Sequence, residues 1–232
     1  RGNIAEYNVA GIEIENSRNA DVYGNIARYN TGGVLVFDMP HLPSAGFGTR
    51  VYDNEIYENN TDNFGHAGTP VASVPAGTGV LINAGDGIEV FDNVLRNNRT
   101  GHVIISSFFS SGWSDVETTS DYDPYPESIW IGPNTYEGGG GNPDALELQA
   151  LRVAMFGPTG RFPPVIWDGY ADPEKMVDGE MPENLRICVE DVEVLNGDLP
   201  NDAANARLEG DAHRCTLDRL EPVDLGPLAE TL

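Results

Sequence analysis

The first hundred residues repeat one short unit, in which two asparagines are separated by four residues. The four copies lie at residues 3–8, 25–30, 54–59 and 93–98. The shortest repeat, from Asn3 to Asn25, is 22 residues long, which accommodates three short strands and tight turns but no helix. The leucines of a leucine-rich repeat are missing. The spacing therefore predicts a solenoid of parallel strands, in which each repeat forms one rung.

Equivalent residues of successive rungs are expected to stack about 4.8 Å apart. The second asparagines of the copies should form a buried ladder at a bend, in which each amide donates to and accepts from its neighbours. The members of this ladder are Asn8, Asn30, Asn59 and Asn98. The strand that precedes each later copy predicts three more columns, one interior, one aromatic and one a surface ladder of charges. These columns are Val22, Val51 and Val90; Tyr23, Tyr52 and Phe91; and Asp21, Arg50 and Glu89.

The predicted fold class is therefore all-β, a right-handed parallel β-helix (solenoid) with an irregular C-terminal cap. The rungs occupy residues 1–143 and the cap residues 144–232. Segments rich in Gly and Pro, or without the repeat, predict loop insertions at 38–49, 61–78 and 108–127. Within the cap, residues 144–160 are the best helical candidate, and short strands are expected at 165–167 and 186–189.

The chain carries 37 acidic and 13 basic residues, a net charge of −24. This charge repels phosphate backbones and anionic lipid, which argues against nucleic acid as a partner. Lys175 is the only lysine, and a lysine-poor acidic chain suits a salty medium. No window approaches the roughly 18 apolar residues of a transmembrane segment. The first rung begins without a capping segment, so we expect a fragment or a processed form.

The asparagine-ladder rungs resemble the right-handed parallel β-helix repeats of the pectin-lyase-like superfamily. Residues 129–136 with the following glycines, the segments 167–173 and 186–189, and Cys215 with the later Leu220 are similar to a family of exported bacterial parallel β-helix repeat proteins. The resemblance implies a signal or lipoprotein peptide on the precursor, and hence an extracytoplasmic protein that is periplasmic, lipid-anchored or secreted. It also implies an exported, cytochrome-like partner protein. It supplies no catalytic residues.

Cys188 and Cys215 are the only cysteines, 27 residues apart. Two cysteines without a nearby histidine pair do not form a structural zinc site. A disulfide is one interpretation, which would place the protein outside a reducing cytosol. Two buried thiols are the alternative.

Four residues are candidates for catalysis: Arg50, His41, His66 and His102. Lyases of the resembled superfamily use an arginine or lysine to remove the proton α to a uronate carboxylate, which makes Arg50 a candidate base for a polysaccharide lyase or an epimerase-like enzyme. The histidines at 41 and 66 lie one in each inserted loop, and both loops could lean over one groove. The alternatives are a charge ladder for Arg50 and isolated polar residues for the histidines.

Calcium is a possible cofactor, since carboxylates occur in two suitable settings. The candidate ligands are Asp53 and Asp92, between rungs, and Asp121 and Asp123, in the acidic run 115–127. Neither setting matches the EF-hand loop or the calcium-binding nonapeptide. The alternative is a solvated acidic loop.

Five aromatic residues near the last rung are candidates for stacking on sugar rings: Trp113, Tyr122, Tyr125, Trp130 and Tyr136. They equally suit a cap that covers an open core. Together these features predict an exported β-helix protein that binds or modifies a polysaccharide along the solenoid face. Because of the negative charge, the glycan would be neutral or bridged by Ca²⁺. A non-catalytic scaffold that docks a partner protein, such as the cytochrome-like protein, is the alternative.

Overall fold

A computed structural model describes residues 1–112 and 115–226. Within these ranges strands make up most of the regular secondary structure, and there is one α-helix, α1 (Leu146–Phe156). The strands in chain order are β1 (Ile4–Glu6), β2 (Ala10–Glu15), β3 (Arg18–Tyr23), β4 (Ile26–Arg28), β5 (Gly32–Phe37), β6 (Phe47–Tyr52), β7 (Glu55–Tyr57), β8 (Thr78–Asn83), β9 (Asp86–Phe91), β10 (Val94–Arg96), β11 (Gly101–Ser106), β12 (Glu127–Ile131), β13 (Thr135–Glu137), β14 (Val165–Trp167), β15 (Ile187–Val189), β16 (Val194–Asn196) and β17 (Arg207–Leu208). Short 3-10 helices lie at Pro70–Ser73, Phe108–Ser110, Glu183–Leu185, Leu199–Asn201 and Asp211–His213.

The strands form three sheets, and each strand pairs with its equivalent in the next repeat. Sheet A has the order β1-β4-β7-β10-β13, sheet B the order β17-β16-β14-β11-β8-β5-β2, and sheet C the order β15-β12-β9-β6-β3. All pairs are parallel except β16 with β17. The arrangement is a parallel, solenoid-like stack, as the repeat predicts.

The asparagine ladder is present where the repeat places it. The side-chain amide of Asn30 donates to Asn59 Oδ1 at 3.0 Å, and that of Asn59 donates to Asn98 Oδ1 at 3.2 Å. A second ladder, formed by the first asparagines of the copies, runs through Asn25, Asn54, Asn93 and Asn134, with amide-to-oxygen distances of 2.9, 2.9 and 3.0 Å. These amides also bond to backbone carbonyls and so satisfy polar groups at the buried turns.

The core lies between the three sheets and consists of stacked aliphatic side chains. Val22, Val51 and Val90 are buried and lie in register, and the column continues through Ile131 and Val189. On the other side of the strand the aromatic column is also present. Its ring centroids are 5.0 Å apart between Tyr23 and Tyr52 and 5.1 Å apart between Tyr52 and Phe91.

The stack continues beyond residue 143, because β14 and β16 extend sheet B and β15 extends sheet C. The short strands expected at 165–167 and 186–189 and the helix expected within 144–160 are present as β14, β15 and α1. Two of the predicted loop insertions, 38–49 and 108–127, extend slightly too far along the chain. The following strands already begin within them, β6 at Phe47 and β12 at Glu127.

A disulfide joins Cys188 at the edge of sheet C to Cys215. The chain that follows, residues 216–226, lies across the outer face of sheet C and is called the C-terminal strap. The backbone amide of Leu220 donates to Glu89 and that of Val223 to Asp21. The prediction that the charge column lies on the surface is therefore wrong for Glu89, because this residue is buried beneath the strap. No helix in the described ranges has the length and apolar character needed to span a lipid bilayer.

Candidate functional site

Two segments 50 residues apart enclose an open polar cavity of about 440 Å³, the acidic–aromatic cleft. Its lining comes from residues 120–125, in the loop before β12, and residues 172–174, after β14. Four of the residues singled out from the sequence lie in it: Asp121, Tyr122, Asp123 and Tyr125. The fold thus joins two groups that the sequence suggested separately, the sugar-stacking aromatics and the calcium-binding carboxylates.

The loop that carries these residues is held in place by Tyr122. Its hydroxyl donates to the backbone carbonyl of Asp38 at 2.8 Å, and its ring packs edge-on against Phe108 at 5.3 Å between centroids. Burial, followed by the nearby Asp38 carboxylate, raises the pKa of Tyr122 well above its ordinary value. Tyr122 therefore acts as a neutral anchor, and Tyr125 is the less deeply buried of the two rings.

Lys175 lies beneath the cleft and supplies its positive charge. Its ammonium contacts Asp123, donates to Glu127 Oε2 at 2.7 Å and lies 3.9 Å from Asp172 Oδ2. Burial opposes the charged form, but hydrogen bonds to Asp123 and Glu127 outweigh it and raise the pKa of Lys175. The only lysine of the chain therefore ties the 172–175 segment to the 120–127 loop.

A partly exposed group of three aromatic rings lies beside the cleft. Phe109 is in contact with Tyr125 on one side and Tyr170 on the other, at centroid distances of 5.4 and 5.3 Å. Phe109 is 41% exposed although it is a large apolar residue. Phe109 and Tyr170 were not among the residues predicted from the sequence to bind sugar, because they lie in segments that meet only in the folded chain. Phe109 follows an apolar strand and so could be assigned equally well to the core.

Three carboxylates next to the cleft could hold a divalent cation through oxygen atoms. The ligand atoms of Asp86, Asp123 and Glu127 lie within 4.8 Å of one another. Burial, and then the charges of Asp123 and Glu127, raise the pKa of Asp86 to about 8. At neutral pH the group is therefore partly protonated, with Lys175 balancing the remaining charge. Of the candidate calcium ligands, Asp123 belongs to this group.

The other candidate calcium ligands lie elsewhere. Asp53 and Asp92 are exposed at equivalent turns, where both adopt the left-handed conformation with φ of 52° and 53°. A short polar side chain tolerates this conformation, so the turn geometry accounts for both residues. Asp121 is exposed at the mouth of the cleft, and a hydrogen bond from Thr119 lowers its pKa.

Arg50 lies under the C-terminal strap rather than in the cleft. Its guanidinium is 3.4 Å from Asp21 and 3.7 Å from Glu89 and lies over the ring of Tyr52. Two carboxylates and the ring of Tyr52 already surround this guanidinium, which disfavours a role as a base.

The three candidate histidines occupy separate environments. The rings of His41 and His66 are exposed and bond to the backbone carbonyls of Glu117 and Ala67. His102 is buried beside the asparagine ladder, 3.0 Å from Gly138 O, and burial lowers its pKa. Each histidine therefore has a local structural partner in the described chain.

Two further aromatic candidates, Trp130 and Tyr136, are covered by other residues. Trp130 is buried, and the guanidinium of Arg219 lies 3.3 Å from the centroid of its ring. Tyr136 packs against the core and against His102, and burial raises its pKa. Trp113 lies outside the described residues.

Comparison with known proteins adds no relative. No protein-family model matches the chain, and neither a curated protein nor a solved structure matches it. What the cleft binds must follow from its own chemistry, which is an excess of carboxylate acceptors, partly exposed rings and one internal cation.

Proposed function

We propose that this protein is an exported, right-handed parallel β-helix of the pectin-lyase-like superfamily, which binds a neutral polysaccharide in the acidic–aromatic cleft. The stack of parallel sheets, the asparagine ladders and the disulfide support the fold and the extracytoplasmic location. Binding is proposed rather than catalysis, since the cationic and histidine candidates are not among the residues that line the cleft and have partners of their own.

The observation that carries the proposal is the aromatic group of Phe109, Tyr125 and Tyr170 beside four carboxylates. Sugar rings present apolar C–H faces that pack on aromatic rings and hydroxyls that donate to carboxylates. The carboxylates at the cleft are Asp121, Asp123, Asp172 and Glu174. An open cavity of about 440 Å³ accommodates part of an extended chain rather than enclosing a small molecule.

The negative charge of the cleft restricts the kind of glycan that can bind there. A polyuronate would bring its own carboxylates to a cleft that is already acidic, on a chain with a net charge of −24. Repulsion would disfavour this complex unless cations bridged the two. The ligand is therefore a neutral polysaccharide.

The test is affinity electrophoresis and calorimetry with a panel of neutral and acidic polysaccharides, with calcium or with chelator. The Phe109→Ala and Tyr125→Ala variants should weaken binding of a neutral glycan at least tenfold. Phe64→Ala, which removes another exposed phenylalanine far from the cleft in sequence, should leave binding unchanged. Binding that is equal in all four proteins would contradict the assignment, and so would folded protein that binds no neutral glycan. A rise in absorbance at 235 nm would reveal lyase chemistry instead.

A second candidate function is docking of a basic exported protein, such as the cytochrome-like partner that the family resemblance implies. The favouring observation is the concentration of acidic side chains at the cleft on a strongly acidic chain. Such a complex would form rapidly at low salt and weaken steeply as salt increases. Glycan binding through stacked rings depends little on salt, so a salt titration separates the two functions.

A further inference from the structure

The outer face of sheet B carries a ridge of aliphatic side chains, on the side opposite the core. Leu35, Leu81, Ile104, Ile166 and Leu195 lie in register on five successive strands. Polar residues would be expected on this face if water covered it. The ridge therefore faces other apolar material.

Other parts of the chain cover one end of the ridge and leave a cavity over the rest of it. Val71 and Val74, from the loop between β7 and β8, pack against Leu35 and Leu81 at one end. Leu148 and Leu151 of α1 form another part of the cavity wall. Together with the ridge they enclose about 230 Å³, lined also by Phe108, Phe162 and Leu199. Well-packed proteins rarely leave an apolar space of this size unfilled.

A row of polar residues borders the cavity at the ends of the strands. Asn83, Ser106 and Asp168 are all buried. The amide of Asn83 donates to Ser106 Oγ and to Ser107 O, both at 2.9 Å, and the hydroxyl of Ser106 donates to Ile82 O at 3.2 Å. Asp168 accepts from Ser107 and Ser110. The side-chain donors of Asn83 and Ser106 are thus already used in hydrogen bonds within the protein. A bound ligand would therefore find oxygen acceptors in this row.

We propose that this cavity is a binding site for a small amphiphile with an apolar chain or ring body and a hydroxyl or amino group at one end. The body would lie on Leu81, Ile104 and Ile166, and the polar end would donate to the row at Asn83 and Ser106. This site is separate from the acidic–aromatic cleft, and its ligand differs in chemistry from a glycan.

The head group follows from charge and hydrogen bonding. A carboxylate or phosphate head would meet oxygen acceptors and the neighbouring Asp168, on a chain with a net charge of −24. A hydroxyl donates to these acceptors, and an ammonium adds attraction. A fatty alcohol or a fatty amine should therefore bind, and the fatty acid of the same length should not.

The test uses N-phenyl-1-naphthylamine, a neutral apolar fluorophore with one N–H donor. The intact protein should enhance its fluorescence, and dodecanol and dodecylamine should displace it at concentrations at least tenfold lower than dodecanoate. A neutral glycan should not displace it. A folded protein that leaves the fluorescence unchanged would overturn the proposal, and so would equal displacement by dodecanoate.

Substitutions in α1 test whether the probe binds in this cavity. Leu151→Trp places a larger ring into the cavity and should weaken probe binding at least tenfold, whereas Val153→Trp, at an exposed position of α1, should not. Leu148→Phe is a milder filling variant for use if Leu151→Trp lowers the melting temperature sharply. Equal probe binding in wild type, Leu148→Phe and Val153→Trp would place the probe elsewhere and contradict the site.

Discussion

Arg219 donates two hydrogen bonds, of 2.7 and 3.0 Å, to the carboxylate of Glu89, 130 positions earlier in the chain. The Glu89 side chain is only 4% exposed, and the backbone amide of Leu220 gives it a third hydrogen bond. The flat face of the guanidinium lies on the ring of Trp130. One buried carboxylate therefore ties the C-terminal strap to sheet C.

We predict that Arg219→Met lowers the free energy of unfolding by about 2–3 kcal/mol, because it leaves the buried Glu89 with only the more distant Arg50 as an ionic partner. Methionine keeps part of the packing on Trp130, so the loss reports the charge. Urea unfolding measures the effect. Arg207→Met, at an exposed ion pair with Glu209, should cost less than about 1 kcal/mol. Adding Glu89→Gln to Arg219→Met should recover part of the lost stability. A double variant that is less stable than Arg219→Met alone would contradict this.

We predict a pH dependence of stability that originates at Asp86. An aspartate ionises near pH 4 in the unfolded chain and at about 8 in the folded chain. The folded state therefore holds a proton that the unfolded state has lost, and the stabilisation, complete below about pH 4, disappears as the pH rises to about 8. Asn at position 86 still accepts the hydrogen bond from the amide of Glu127. Asp86→Asn should match the wild type at pH 4 and be more stable by about 1–3 kcal/mol at pH 9.

Chemical unfolding at several pH values tests this dependence. Asp53→Asn, at an exposed turn, serves as the control and should follow the wild-type curve. Parallel curves for wild type and Asp86→Asn would show that another group is responsible.

We predict that Lys175→Met converts the carboxylate group of Asp86, Asp123 and Glu127 into a calcium-dependent element. Without the ammonium these carboxylates repel one another, so the melting temperature should fall, with a loss of about 2 kcal/mol after allowance for partial exposure. Millimolar Ca²⁺ should restore most of it, since the ion supplies the missing charge to oxygen ligands. Ca²⁺ should change the wild type much less. An equal shift in both proteins would mean that calcium acts elsewhere.

We predict that the stability lost on replacing a ladder asparagine depends on whether it lies in the buried middle or at the exposed end of the ladder. Asn59→Ala removes the oxygen that accepts from the backbone and side-chain amides of Asn30, and the side-chain amide that donates to Asn98 and to Ala27 O, and it should cost about 3 kcal/mol. Asn8→Ala, at the exposed end of the same ladder, should cost less than about 1 kcal/mol because water replaces the lost bonds. Thermal and urea unfolding measure both. Equal losses would contradict a buried, mutually dependent ladder.

The repeat was sufficient to predict the asparagine ladder and the valine column, because a fixed spacing imposes the same environment on each copy. Val22, Val51 and Val90 stack because their chain segments occupy equivalent positions, and no distant segment changes this. The sequence could not show that Glu89 is buried. Its cover, Arg219, comes from a segment without a repeat, and only the folded chain brings the two together.

The candidate site was predictable in part for the same reason. Asp121 to Tyr125 are neighbours in sequence, so their presence in one cleft follows from a short loop. Lys175 and Tyr170 come from another irregular segment, and no periodic signal connects them to that loop. The apolar ridge was missed for a different reason. Strands such as β5 and β8 are apolar on both faces, and the sequence does not indicate which aliphatic residues point away from the core.

The second asparagine ladder, which begins at Asn3 and ends at Asn134, keeps its spacing although the chain between its members differs greatly in length. Consecutive partners are separated by 22, 29, 39 and 41 residues, a difference that changes the loop-closure free energy by only about 0.6 kcal/mol. Foreign peptides grafted between β5 and β6 or between β7 and β8 should therefore leave the register of the sheets intact. The rungs thus fix the register of the sheets, and the exposed parts of the connecting loops can change in length and sequence without altering the rungs beneath them.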